Sequence, residues 1–244
     1  AERTNERAQQ LRRQARAGLD VEEGLTALSD LIASRALEDA AVLLLPWLDL
    51  AGGDQTRLGQ GLALMHQQSA DCSTQGFGWE RDGYIGAGPQ PGGWRADWGT
   101  CFVELRLKPQ MERAIQRGLK SNGADQLMDK VQERLNGLEL NPSLVHGDLW
   151  GGNAGVVQDG RGTIYDPASW WADPEVDLAM TSLFGGFSDS FRRGYESVTS
   201  PRAGADERIE IYNLYHLLNH ANLFGGSYIN QCRASLQSLA RQLI

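Results

Sequence analysis

The chain has 244 residues and a formal charge of −8, enough length for one large or two modest domains with a buried core. The acidic balance argues against nucleic-acid wrapping or anionic membrane surfaces as its main business, but not against a nucleotide site that carries its own cations. No apolar run approaches the roughly 18 residues of a membrane span and no signal peptide opens the chain. Cys72, Cys101 and Cys232 are widely spaced without a C-x-x-C pattern, so a cytoplasmic protein with reduced thiols is expected.

Ala1 to Arg16 is charged and helix-prone, and Leu19, Leu25, Leu28 and Leu31 recur at helical spacings, which predicts an amphipathic helix over 18–34. The apolar run Ala41 to Leu45, ended by Pro46, reads as a buried strand leading into a connector. Gly52-Gly53 marks a hinge, giving domains 1–50 and 51–244, and Asp54 is a candidate cap for a helix with Leu58, Leu62 and Met65 on one face. From Asp71 to Gly93 the chain is Gly- and Pro-rich with Phe77, Trp79 and Tyr84 interleaved; no period emerges, and an irregular functional or mobile loop is expected. Helices are predicted over 96–120, interrupted near Pro109, and over 124–138. Leu144-Val145 reads as a short strand, and the segments 155–157 and 163–165 flank the Asp159-Gly160 turn as a hairpin. Beyond Pro174 the pattern is helical, at about 175–184, 188–197, 206–223 and 228–243.

The segment His146-Gly147-Asp148-Leu149-Trp150-Gly151-Gly152-Asn153 sets an acid five residues before an amide, and Asp166 follows behind the hairpin. Kinase-type phosphotransferases use H-x-D-x-x-x-x-N for a base and a metal-binding amide, with a later Asp on the metal. Phosphoryl transfer is mostly positioning and charge neutralisation, so these groups would carry most of the chemistry. Asp148 is the candidate base. Asn153 and Asp166 offer hard oxygen ligands suited to Mg²⁺, and ordinary turn chemistry at each would not explain their spacing from Asp148. His146 is expected to pack beneath the loop and bond backbone groups. Trp150 presents an aromatic face for an acceptor substrate, with core packing as the rival reading; Trp170 and Trp171 are read as packing. His66, His216 and His220 fall on expected helices. With no third ligand beside His216 and His220, satisfied structural histidines are expected rather than a metal site.

Taken together with Asp166-Pro167-Ala168, Glu175-Val176-Asp177-Leu178-Ala179-Met180, Leu183-Phe184-Gly185-Gly186-Phe187 and Leu214-Tyr215-His216-Leu217-Leu218-Asn219-His220, the motif resembles the fructosamine (ketosamine) 3-kinase family. Tyr84-Ile85-Gly86, Pro89-Gln90-Pro91 and Arg106-Leu107 extend the likeness, which runs from about Leu43 to the end. The resemblance implies an α+β, protein-kinase-like two-lobed fold, with 1–50 an incomplete N-terminal lobe and 51–244 a mostly helical C-terminal lobe carrying the catalytic hairpin. It implies ATP and Mg²⁺ as cofactors and phosphorylation of the 3-hydroxyl of ketosamines, a deglycation repair activity. It also implies that Asp177 braces the catalytic loop; an acid placed in a first helical turn by the macrodipole is the equal alternative. On the nucleotide side Arg3 stands where the family has a Lys, Glu22 or Glu23 where it has that Lys's partner, and Trp47 and Leu48 would offer backbone groups to adenine after Pro46. No Gly-rich loop is seen before Ala1, Gly151 replaces a common Ser, and Pro174 replaces a common Arg. A kinase for another small hydroxyl, such as an aminoglycoside or choline, and an inactive pseudokinase that only binds, remain open beside the leading expectation. Neither nucleic acid nor membrane is an expected partner, and oligomeric state is not legible.

Overall fold

A computed structural model describes residues 48–70, 72–120 and 123–244. The helix expected over 18–34, the strand at 41–45, and Arg3, Glu22, Glu23, Pro46 and Trp47 lie outside the described residues. The chain divides into two compact units between Leu50 and Ala51, and the architecture below belongs to the second. Elements are numbered along the described residues.

Helix α1 (Thr56–Ser69) begins where the Asp54 carboxylate accepts the Thr56 amide at 2.8 Å, as its capping sequence predicts. Its buried face is Leu58, Leu62, Ala63 and His66. The stretch expected to be an irregular loop is instead folded into β1 (Phe77–Trp79), β2 (Gly83–Ile85), β3 (Gly88–Gln90) and β4 (Gly93–Arg95). Each strand is three residues long, too short for a period-two pattern to show. β1 pairs antiparallel with β4 (Gly78 opposite Trp94) and with β8 (Trp170–Ala172; Gly78 opposite Trp171). β8 in turn pairs with β5 (Ser143–Val145; Leu144 opposite Trp171), giving the order β4-β1-β8-β5. β2 and β3 form a separate ribbon with Tyr84 opposite Pro89.

Between α2 (Trp98–Phe102) and α3 (Lys108–Gln116) the helix widens to a π segment over Val103–Leu107. Pro109 explains it, since its ring nitrogen cannot donate to the Leu105 carbonyl and its ring crowds that oxygen. The freed carbonyl accepts the Arg106 Nη1 at 2.9 Å instead. Thus Pro109 loosens the helix without ending it. Helix α4 (Ala124–Asn136) follows, then β5 and the hairpin β6 (Ala154–Val156) and β7 (Gly162–Ile164) with Gly155 opposite Thr163. After β8 come α5 (Glu175–Leu183), α6 (Asp189–Glu196), α7 (Ala205–Phe224) and α8 (Ser227–Leu243).

Two apolar clusters position the loop after β5. In the larger, Trp98 packs on Phe77, Phe102, Trp170 and Tyr212 with ring centroids 5.4 to 6.0 Å apart. Trp170, expected as packing, is fully buried, and the Arg106 guanidinium lies 3.9 Å from its ring centroid. The smaller cluster gathers Leu58, Leu62 and Ala63 of α1, Phe191 and Tyr195 of α6, and Leu149 from the loop itself. Helices α1 and α6 approach at glycines: a Cβ on Gly59 would lie 2.0 Å from the Phe191 carbonyl oxygen.

An ionic network fixes the start of α5. Arg202 binds Asp173 and Glu175, Arg208 forks onto Glu175 at 2.6 and 2.8 Å, and the Tyr212 hydroxyl donates to Asp173 at 2.6 Å. Cys72, Cys101 and Cys232 are free thiols. Among the described residues no helix is long and apolar enough to cross a membrane.

Candidate active site

The loop between β5 and β6 is held from below by a single acid. Asp177, in the first turn of α5 and fully buried, accepts the backbone amides of His146 at 2.7 Å and Gly147 at 2.8 Å. Burial acts to raise its pKa, but the hydrogen bond from His66 and the charges and amides around it hold the carboxyl below its ordinary value. Gly147 has φ +82°, and a Cβ there would stand 2.2 Å from the Ala168 carbonyl oxygen. Only glycine fits so close a crossing of the loop and the segment behind it.

His146 lies beneath the loop and ties its two sides. Its Nε2 lies 2.9 Å from the Tyr165 carbonyl oxygen, and its Nδ1 accepts the Asp148 amide at 3.3 Å, so the hydrogen is on Nε2. The Ala168 amide donates to the His146 carbonyl at 2.9 Å. From the far side Gln90 donates to the Ala168 carbonyl at 3.1 Å and accepts the Tyr215 hydroxyl at 3.0 Å.

These contacts bring Asp148, Asn153 and Asp166 together. Asn153 Nδ2 reaches the Asp148 carbonyl at 2.9 Å, the Asp148 carboxylate at 3.4 Å and the Asp166 carbonyl at 3.4 Å. Burial first, then the charges of Asp166 and Asp177, push the Asp148 carboxyl up to about 6, against the opposing Asn153 hydrogen bond. Asp166 is exposed and has φ +56°, the one non-glycine among the described residues in the left-handed region, a strained conformation that concentrates at functional sites.

The donor set suits a hard divalent cation. Asp148 and Asp166 repel each other, no described residue donates to Asn153 Oδ1, and the groups that could hold a cation offer oxygens. Among the described residues no cluster of three or more His, Cys, Asp and Glu could cage a metal by itself. Mg²⁺ commonly takes only one or two carboxylates and fills its octahedron with phosphate and water oxygens, which fits this sparse set.

Trp150 is 42% exposed, and its ring covers Gly152 so closely that a Cβ there would meet it at 2.3 Å. Core packing is thereby excluded for Trp150. Leu48, expected near adenine, is exposed, while Arg3 and Trp47 lie outside the described residues. His216 departs from the satisfied histidine expected of it. It is fully buried, neither ring nitrogen has a partner among the described residues, and burial, then His220, drive its pKa down to about 3. His220 Nδ1 bonds the His216 carbonyl at 2.8 Å. His66 bonds Asp177 and Tyr195, partners 111 and 129 residues away, a contact that no local pattern announces.

The family model described as "Fructosamine kinase" matches residues 25–242. A "Probable ketoamine kinase" of Synechocystis sp. is 42% identical over 202 residues, 82% of this chain and 68% of the relative. A solved structure titled "putative fructosamine-3-kinase" from Thermobifida fusca superposes with a TM-score of 0.72 at 33% identity, covering 80% of this chain and 69% of that one. The choline kinase LicA of Streptococcus pneumoniae, 16% identical, reaches a TM-score of 0.52 over 87% of this chain and 78% of its own, a likeness of fold alone. The chain spans roughly two thirds of the length of the ketoamine kinases it matches, from 56% to 72%. The α+β, protein-kinase-like fold expected of the chain is the one these neighbours share.

Proposed function

Because the chain belongs to the fructosamine kinase family, we propose that it transfers the γ-phosphoryl group of ATP to the 3-hydroxyl of a ketosamine, the sugar adduct of an amine. The observation that carries the reading is the gathering of Asp148, Asn153 and Asp166 around one amide nitrogen. Bound Mg²⁺–ATP supplies the phosphoryl group and the cation that offsets the charge building on it. Asn153 Oδ1 and the Asp166 carboxylate are the groups that would hold the metal.

Asp148 is the base. Its carboxylate takes the hydrogen bond of the attacking hydroxyl and aims the oxygen lone pair at phosphorus, accepting the proton as the bond forms. With a pKa of about 6 it is ionised at neutral pH, yet it is more basic than a free Asp near 3.8. Asn153 holds the carboxylate in place through Nδ2. The exposed face of Trp150, two residues on, suits the sugar ring or the amine portion of the acceptor. A cytoplasmic location accords with a substrate drawn from the ATP pool. The domain division at residues 50 and 51 would then separate the nucleotide-covering lobe from the catalytic one.

The test is an assay of the full-length protein with MgATP and fructosyl-lysine, following the sugar phosphate by ³¹P NMR. Turnover that disappears in Asp148→Ala supports the reading. Transfer only to choline or an aminoglycoside would reassign the acceptor, and nucleotide binding without transfer to any of them would make the protein a binding module.

A further inference from the structure

We propose that Gln55 is a positioning residue for the acceptor side of the site, holding a Gly185-Gly186 strap against Gly151 and so fixing the outward face of Trp150; its effect on turnover rests on the function proposed above. Gly151, the residue after Trp150, touches the turn between α5 and α6. A Cβ on Gly151 would lie 3.0 Å from the Gly186 Cα and 3.1 Å from the Gly185 carbonyl oxygen, and one on Gly186 would lie 2.8 Å from the Gly151 Cα. Two backbones therefore meet with no side chain between them. Gly185 and Gly186 are exposed, with φ +72° and +93°, and neither carries a group that could hold the contact.

The hold comes from α1. Gln55, the residue ahead of its first turn, donates from Nε2 to the Gly186 carbonyl at 3.0 Å. The orientation of its amide is set at the other end. The Ser188 backbone amide can only donate and lies 2.7 Å from Oε1, which turns Nε2 toward Gly186. Two serines close the arrangement. The Gln55 backbone amide donates to Ser190 Oγ at 2.9 Å, Ser190 Oγ stands 2.8 Å from Ser188 Oγ, and Ser188 Oγ donates to Gln55 Oε1 at 3.0 Å. Each hydroxyl has one hydrogen, and Ser188 directs its own to Gln55, so Ser190 donates to Ser188. The ring of bonds runs one way and returns to the residue it left. Helix α1 is itself locked on α6, where a Cβ on Gly194 would stand 2.1 Å from the Thr56 carbonyl oxygen. Gln55 is thus a fixed post, and among the described residues its side chain is the one bonded to the glycine pair. Without that bond the strap can draw back, and Gly151 loses the surface against which it rests. Asp148 lies beyond Leu149, which is anchored separately in the cluster under α1, so the disturbance is confined to the acceptor side.

The intact protein is compared with Gln55→Glu and Gln55→Leu. Glutamate keeps the acceptor for Ser188 but faces the Gly186 carbonyl with an oxygen, whereas leucine removes both contacts. One hydrogen bond of this kind corresponds to about 3- to 10-fold in binding. The expected result in both variants is a rise of that size in KM for ketosamine, with kcat and KM for MgATP within about twofold of the parent. An equal rise in KM for MgATP overturns the proposal. So does a Gln55→Glu variant that matches the parent beside an impaired Gln55→Leu, because the Ser188 anchor alone would then account for the effect.

Fluorine NMR of protein labelled with 5-fluorotryptophan reads the contact without turnover, the Trp150 signal being assigned through Trp150→Phe. In Gln55→Glu the Trp150 signal should shift or broaden, while those of the buried Trp98 and Trp170 keep their parental positions. An unmoved Trp150 signal refutes the positioning role even in an active enzyme. If the signal moves as stated while the parent phosphorylates no ketosamine, the function proposed above fails and the hold of Gln55 on the Trp150 loop stands.

Discussion

Replacing Asp148, the proposed base, by its neutral isostere in Asp148→Asn is expected to stabilise the fold at neutral pH and, on the function proposed above, to abolish turnover. Burial and the neighbouring Asp166 and Asp177 raise the Asp148 carboxyl from 3.8 to about 6 in the native state. A raised carboxyl pKa means that the native state binds this proton more tightly than the unfolded chain does. Above pH 6 the ionised group therefore opposes folding, and the opposition fades as pH falls from 6 through 3.8, below which both states are protonated. At roughly 1.4 kcal/mol per pH unit, the interval from 3.8 to about 6 corresponds to at most about 3 kcal/mol. Solvent reaching the half-buried carboxylate reduces this to about 1–2 kcal/mol. Asparagine keeps an acceptor for Asn153 Nδ2, so removal of charge is the main change. Urea denaturation of parent and variant at pH 7.5 and pH 4, with chelator present, measures the effect. The variant should be the more stable at pH 7.5, the gap should all but close by pH 4, and Mg²⁺, which offsets the Asp148–Asp166 repulsion present only in the parent, should narrow it. Equal stabilities at pH 7.5, or a gap that survives at pH 4, would refute the charge-strain reasoning.

Asp166→Asn removes one of the charges acting on Asp148. The acid limb of the kcat/KM profile should move below its parental midpoint near 6, and the Mg²⁺ concentration for half-maximal rate should rise; an unmoved limb contradicts the coupling. Gly147→Ala forces a side chain to φ +82° and to within 2.2 Å of the Ala168 oxygen. Strain and backbone displacement there should cost about 2–4 kcal/mol in thermal or urea unfolding, with a large fall in kcat. Arg208→Met leaves the buried Glu175 with fewer partners and should cost about 3–5 kcal/mol. By comparison, Arg134→Ala, which breaks an exposed pair with Glu207, should cost about 0–1 kcal/mol.

The helical half of the chain was readable because long segments free of turn and strand signals advertise themselves. The helix expected over 206–223 runs Ala205–Phe224, and that expected over 228–243 runs Ser227–Leu243. The hairpin between Asn153 and Asp166 was equally plain from its Asp159-Gly160 turn. What escaped is what depends on distant partners. β1 contains Gly78, whose neighbours Trp94 and Trp171 lie 16 and 93 residues away in sequence, so nothing local marks it as a strand. Pro109 signalled a break, but whether a helix ends or only widens depends on whether the orphaned carbonyl finds another donor, here Arg106. At the candidate site the three oxygen-bearing residues were legible from spacing alone. Their support was legible only in part, because Asp177 shares a segment with recognisable motifs while His66 acts from a helix whose visible signal is apolar.

Leu149, wedged into the cluster under α1 and wholly hidden from solvent, separates Asp148 from Trp150. Attachment and reactivity are thus assigned to alternate residues of one short loop, one facing inward and its neighbours outward. On the function proposed above, such a division would let the outward aromatic change with the acceptor while the inward leucine keeps Asp148 in place.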